Sequence, residues 1–293
     1  MNIQPYGHSG LSVSRLGLGA GQIGDAALAE DEVGRLLHAA LDAGITLIDT
    51  ARGYGLSEER IGRHLQRRRQ DFVLSTKVGY GIPGHADWTA GAITAGIDAA
   101  LQRLRTDVLD IVHLHSCALQ TLQALEVIDA LDRARTAGKL RVPAYSGENE
   151  ALGWAIDSGR FGGVECSVSL FDQGGLPATL PRARALGLGV IAKRALGNAP
   201  WRFAQRPAGD YCEAYWVRMQ ALALDTGGLP WDAFALRFAA WRPEVSCTLL
   251  GTCSVDHLQR AVACVDAGPL PAAQVAQVRA RFGAVGRGWR GEL

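Results

Sequence analysis

No stretch of this chain approaches the roughly 18 apolar residues that a membrane-spanning helix requires, and Met1-Asn2-Ile3-Gln4-Pro5 is not a basic segment leading into an apolar one. A soluble cytoplasmic protein without membrane partners is the expectation. The chain also lacks a surplus of either charge. Its 30 Lys and Arg stand against 29 Asp and Glu, interspersed rather than blocked, which argues against an electrostatic nucleic-acid surface. The one basic run, Arg67-Arg68-Arg69, falls at the end of a predicted helix, where it complements the helix dipole. No Cys-x-x-Cys spacing occurs among Cys117, Cys166, Cys212, Cys247, Cys253 and Cys264. Their mostly apolar contexts make them buried thiols rather than disulfides or metal ligands, and no structural metal is expected.

No linker divides the 293 residues, and a hydrophobic content of 48% is enough for one sizeable core. A single domain over 1–293 is expected. The opening, Ile3 to Val13, reads as two short extended pieces around a His8-Ser9-Gly10 turn, a hairpin that would plug the bottom of a barrel. Strand-like and helical patterns then alternate. The strands are expected at 15–18, 45–48, 72–76, 109–114, 142–145, 164–168, 189–192 and 245–250. Between and after them, 3.6-residue apolar spacing predicts helices at 31–43, 57–68, 89–104, 119–137, 149–158, 176–186, within 211–240, and at 254–265. Eight βα units in about 250 residues match a TIM (β/α)8 barrel closed by right-handed crossovers. The fold class expected is therefore α/β, a barrel with an N-terminal β-hairpin and a short C-terminal tail. That tail, Phe282 to Leu293, holds four glycines and Trp289 and reads as a flexible flap.

One competing motif needs weighing. Gly19-Ala20-Gly21-Gln22-Ile23-Gly24 matches the Gly-x-Gly-x-x-Gly fingerprint of a dinucleotide fold. That fingerprint puts its last glycine in the opening turn of a helix, so that a pyrophosphate meets the helix N-terminus. Here the apolar pattern Val33, Leu36, Leu37, Ala40, Leu41 starts its helix near Asp31, one loop too late. The glycines read better as a pliable loop at a barrel mouth.

Four titratable residues stand at or just past strand ends: Asp49 after Ile45-Thr46-Leu47-Ile48, Tyr54 in the following glycine-flanked loop, Lys77 after Phe72 to Thr76, and His115 after Leu109 to Leu114. The C-terminal edge of a barrel is where such enzymes keep their chemistry. Tyrosine, with an ordinary pKa near 10, is a weak acid at neutral pH. A lysine ammonium in contact would lower that value, and a carboxylate would hold the lysine charged and oriented. His115 suits the shaping of an oxyanion pocket. His113, on the same strand face by the period of two, reads as a core or supporting histidine.

This order of Asp49, Tyr54, Lys77 and His115, with Gly44-Ile45-Thr46-Leu47-Ile48-Asp49-Thr50-Ala51 and Leu109-Asp110-Ile111-Val112-His113-Leu114-His115 around it, closely resembles the aldo-keto reductases. The likeness runs from Leu16 to Thr252. It implies Tyr54 as general acid in reduction and base in oxidation, NADP(H) or less readily NAD(H) as cofactor, and a small-molecule carbonyl substrate. It also implies cofactor contacts at Gly19, Ser146, Asn149, Glu165, Lys193, Arg194, Leu196, Gly197, Gly251, Thr252, Ser254, His257 and Arg260. Three of these positions depart from the family. Glu165 stands where a glutamine commonly holds the nicotinamide amide, and Lys193 where an aromatic ring stacks; the two are expected to pair. His257 replaces an arginine that grips the 2′-phosphate. Trp88, Trp201 and Trp289 read as packed or pocket-lining loop residues. The second reading is a non-catalytic nicotinamide-binding protein that senses redox state or binds a partner on the same barrel. Substrate and oligomeric state are not legible.

Overall fold

The computed structural model describes residues 1–292. Strands β1 (Ile3–Pro5) and β2 (Ser12–Ser14) form an antiparallel hairpin ahead of the barrel. The barrel units follow as β3 (Leu16–Gly19) and α1 (Glu30–Asp42), β4 (Leu47–Asp49) and α2 (Ser57–Leu65), β5 (Val73–Val78) and α3 (Ala90–Leu104), then β6 (Leu109–His115) with α4 (Leu119–Gln123) and α5 (Glu126–Thr136). Next come β7 (Leu140–Ser146) and α6 (Asn149–Asp157), β8 (Gly163–Ser167) and α7 (Thr179–Ala185), and β9 (Gly189–Lys193) with α8 (Glu213–Leu222) and α9 (Trp231–Ala240). The last unit is β10 (Cys247–Gly251) and α10 (Val255–Asp266), and α11 (Ala272–Val285) ends the helical series. Among the described residues, no helix is long and apolar enough to cross a membrane.

Strands β3 to β10 close into an eight-stranded parallel barrel, β10 pairing with both β3 and β9. Side chains alternate across each strand, so one apolar set fills the barrel and the other meets the helices. Val13, Leu47, Ile111, Val142, Ile191 and Cys247 belong to the smaller cluster inside, while the larger one includes Ile48, Leu74, Val112, Val164 and Val190 against the surrounding helices. Each fully buried aliphatic side chain contributes roughly 1.5–3 kcal/mol.

The hairpin plugs the lower end as expected. Tyr6 is fully buried, and a Cβ on Gly163 or Gly189 would sit 2.0 or 2.3 Å from its side chain. Those two strand starts are glycine because the Tyr6 ring occupies the space.

Two elements differ from the sequence expectation. The helix expected over 119–137 breaks at Leu125, whose φ of 65° is left-handed, into α4 and α5. Phe282 and Gly283, taken as the start of a flexible tail, lie inside α11. The Phe282 ring meets Trp289 edge-on at 5.5 Å, and the chain beyond is tied to the barrel rim by Asn149, whose amide exchanges hydrogen bonds of 3.0 and 2.9 Å with the Gly291 backbone. Arg218 also pairs with Glu292 and donates to the Arg290 carbonyl at 2.8 Å. The sequence reading overlooked these anchors because they lie 74 and 142 residues away in the chain.

Candidate active site

Barrel register brings the strand-end residues together. Asp49 pairs in register with Ser75, Lys77 with His113, His115 with Ser146, and Ser146 with Glu165. The side chains of Asp49, Lys77 and Glu165 are 3%, 1% and 2% exposed. The Lys77 ammonium pairs with an Asp49 oxygen, donates to the Thr50 carbonyl at 3.1 Å and lies 3.3 Å from Glu165 Oε2. Ser75 donates to the other Asp49 oxygen at 2.7 Å and accepts from His113 Nε2 at 3.2 Å. Asp49, His113 and Glu165 thus form a cluster of metal-ligating types, but the cation between its two carboxylates is the lysine itself.

Tyr54 sits above this cluster, with Lys77 Nζ 5.3 Å from its ring centroid and the His115 ring edge-on at 5.9 Å. Its loop is held by packing against the glycine-rich segment. A Cβ on Gly24 would lie 1.8 Å from the Tyr54 carbonyl oxygen, and Leu56 N–H donates to Gly24 O at 3.0 Å. Gly55 takes a φ of +52° in the same contact. Ser57 hydroxyl donates to Ala20 O at 2.7 Å, and Arg60 donates to Ile23 O at 2.7 Å and to Asp25 O at 2.8 Å. The glycines that mimic a dinucleotide fingerprint are a seat for the tyrosine loop, and Gln22–Gly24 is a short 3-10 turn well before α1.

The electrostatics depart from the sequence expectation. Lys77 is the largest single influence on Tyr54 and acts downward. Burial, then Asp49, Glu165 and Tyr80, together outweigh it and push the phenol up to about 12. Burial also drives His115 down to about 3, helped by the Lys77 charge, and His113 down to about 4, so both rings are neutral at pH 7. Burial first, and then repulsion from Glu165, raise Asp49 to about 7. Two carboxylates facing one ammonium hold a proton far above the ordinary carboxylate range.

A cavity of 660 Å³ opens over Asp49, Tyr54, His115 and Glu165. Of the residues expected to bind a cofactor, Gly19, Glu165, Lys193, Arg194, Leu196 and Gly251 line it. Ser146 is buried behind Glu165, donating to it at 3.3 Å. Gly197 and Thr252 are buried outside the cavity wall, and Asn149 is committed to Gly291. Ser254 caps α10 by accepting from His257 N–H at 3.3 Å, which leaves its hydroxyl proton available; His257 and Arg260 are exposed on the first turns of that helix.

The expected Glu165–Lys193 pair does not form. Glu165 faces Lys77, whereas Lys193 lies 3.4 Å from Glu148 Oε1. Glu148 is fixed there by Ser167, whose N–H and hydroxyl both donate to it at 2.8 Å. Lys193 shares a strand face with Glu165 but is in register with Ser167, two residues further along, which sets its ammonium beside Glu148 instead.

Three contributors escaped the sequence reading: Ser75, Glu148 and Tyr80, whose hydroxyl lies 2.9 Å from His115 Nδ1. Tyr80 carried a usable signal, an aromatic between Gly79 and Gly81 just past the strand that bears Lys77. Trp88 packs beside Tyr80 at 5.9 Å and Trp201 stacks on Trp231 at 5.8 Å. Four cysteines are buried, but Cys253 is exposed and Cys264 half-buried, since turn and helix surface override the local composition.

The profile of the Aldo/keto reductase family matches residues 15–281. The chain is 28% identical to L-galactose dehydrogenase of Arabidopsis thaliana, over 90% of this chain and 88% of the relative. It is 27% identical to D-threo-aldose 1-dehydrogenase of a Pseudomonas species, over 83% and 86%. In fold it is similar to the holo form of an aldo-keto reductase from Bacillus halodurans, with a TM-score of 0.81, 24% identity and 96% of each chain covered.

Proposed function

Since the chain belongs to the Aldo/keto reductase family of oxidoreductases, we propose that it interconverts a small-molecule carbonyl and its alcohol with NADP(H), using Tyr54 as the proton donor and acceptor. The observation that carries this reading is the placement of Tyr54 at the cavity floor, against His115 and over the buried Lys77–Asp49 pair.

A nicotinamide cofactor supplies or takes the hydride. The residues present suit it: Glu165, at the cavity wall, has in Oε2 an oxygen 3.3 Å from Lys77 that makes no hydrogen bond and would accept one from an amide N–H. Lys193 and Arg194 bring positive charge to the rim for phosphates. Ser254, with its free hydroxyl proton at a helix start, and the exposed His257 and Arg260 suit a 2′-phosphate, which favours NADP(H) over NAD(H).

In reduction, Tyr54 would give its phenolic proton to the carbonyl oxygen. The neutral His115 ring donates a hydrogen bond to that oxygen as negative charge develops, without first losing a proton to solvent. In oxidation the Tyr54 phenolate would take the hydroxyl proton of the alcohol. Lys77, held by Asp49 and the Thr50 carbonyl, stabilises the phenolate.

The substrate class we propose is a polyhydroxylated aldehyde or its cyclic hemiacetal. Gln22, Ser116, Asn198 and Arg202 give the cavity hydrogen-bonding walls, and the two relatives are named for sugars. Fluorescence titration with NADPH and NADH, followed by turnover on aldoses and on apolar aldehydes of equal size, tests the reading. Tighter NADPH binding and preference for the aldoses are expected. Absence of turnover on any carbonyl would overturn it.

A further inference from the structure

A buried lysine needs one counter-ion, and Lys77 has two. Asp49 satisfies it directly from β4, with its second oxygen taken by Ser75. Glu165 approaches from β8, its Oε2 3.3 Å from the ammonium without forming a hydrogen bond and its Oε1 accepting from Ser146 at 3.3 Å. A carboxylate so buried and so incompletely solvated is costly unless it interacts with a charge, and the nearest is the Lys77 ammonium.

We propose that Glu165 is a second counter-ion of Lys77 and a positioning residue for Tyr54. By offsetting the ammonium charge it keeps Tyr54 a neutral proton donor through the neutral range and confines its service as proton acceptor to alkaline solution. The proposal rests on the reading of Tyr54 as the acid and base of the reaction.

The charges around Tyr54 can be counted element by element. Strand β4 contributes Asp49, β5 contributes Lys77, and β8 contributes Glu165. Strand β6 contributes His113 and His115, both neutral because burial disfavours their charged forms. Tyr80, after β5, is a neutral phenol raised further by burial. Lys193, at the end of β9, is engaged with Glu148. In alkaline solution, where both carboxylates of the cluster are ionised, the phenol therefore faces two negative charges and one positive. With an uncharged residue at position 165 it would face one of each. Opposite charges within a few ångströms in a desolvated site favour ionisation of the phenol, and an extra carboxylate opposes it. The net upward displacement of Tyr54, to which Glu165 contributes, is in line with this count.

The test uses protein labelled with 13Cζ-tyrosine, the Tyr54 resonance being assigned by its loss in Tyr54→Phe. In the wild type, Tyr54 should stay protonated to above pH 10. In Glu165→Gln, the same shape without charge, its midpoint should fall by at least one pH unit. Glu165→Met, a neutral side chain of similar length, should reproduce the fall, which keeps the test decisive if one variant does not fold. Glu165→Asp, which keeps the charge, should titrate like the wild type. The pH at which alcohol oxidation reaches half its maximum should move down with the resonance. A Tyr54 midpoint unchanged within 0.3 units in the neutral variants, that margin being about 0.4 kcal/mol at 1.36 kcal/mol per unit, would overturn the proposal. The resonance is read without cofactor or substrate, so a midpoint that moves in a protein without turnover would overturn the functional reading and leave the role of Glu165 standing.

Discussion

The hydroxyl of Tyr80 lies 2.9 Å from Nδ1 of His115, so the phenol and the ring share one hydrogen bond. Burial keeps the Tyr80 phenol protonated and the imidazole neutral. In the mechanism proposed above the phenol donates to Nδ1, and Nε2–H is then the donor for an oxygen in the cavity that His115 lines. Tyr80→Phe removes that hydrogen bond while keeping the ring against Trp88. A fall of about tenfold in kcat/KM is expected, the worth of one hydrogen bond of about 1.4 kcal/mol, with cofactor affinity unchanged. Steady-state kinetics beside cofactor titration measure both.

Tyr54→Phe deletes one proton donor and almost no volume from a half-buried position. Carbonyl reduction should slow by on the order of 10² to 10⁴, while circular dichroism and NADPH affinity stay at wild-type values. Retention of more than half the wild-type kcat would remove Tyr54 from its assigned role.

Lys193 and Glu148 should couple, and Lys193 and Glu165 should not. The first pair is 3.4 Å apart, whereas Glu165 is engaged by Lys77 at 3.3 Å. In double-mutant cycles on cofactor affinity, Lys193→Ala with Glu148→Gln should deviate from additivity by more than about 0.5 kcal/mol. Lys193→Ala with Glu165→Gln should add within that margin. The reverse ranking would mean that the rim rearranges when cofactor binds.

His113 should make the protein acid-sensitive. Burial lowers its folded value to about 4, against an ordinary value of 6.5. Below pH 6.5 the unfolded chain then binds a proton that the native state refuses, so stability falls as the pH falls. Between pH 7.5 and pH 5 the loss from this residue is about 2 kcal/mol, at 1.36 kcal/mol per unit. Asp49 works against it: its folded value is raised to about 7, so its contribution declines as the pH rises toward 7. The measurable quantity is thus the difference between wild type and His113→Gln in denaturant unfolding at the two pH values. Parallel pH dependences would show that His113 is protonated in the native state.

Much of the barrel could be read from local pattern. Each βα unit repeats the same switch from strand-like apolar runs to 3.6-residue spacing, and that period depends on neighbours a few residues away. The break at Leu125 could not be read this way, because an apolar helical pattern continues across it and only the backbone turn reveals it. The tail failed for a different reason. Four glycines signal freedom in an isolated segment, but Asn149, Arg218 and Trp289 supply contacts that composition does not contain.

By itself, the sequence determined which ionisable residues stand at or just past strand ends, since strand length and period place Asp49, Tyr54, Lys77 and His115 on one edge of the barrel. It also determined the family, through their order. Tertiary structure decided which of these charges meet. With β6 and β7 between them in the ring, β5 and β8 lean Lys77 and Glu165 together at 3.3 Å, while Lys193 turns to Glu148. Whether a lysine lowers its tyrosine or is itself neutralised depends on distances across a closed barrel and on the depth of burial, and neither quantity is a property of any stretch of chain.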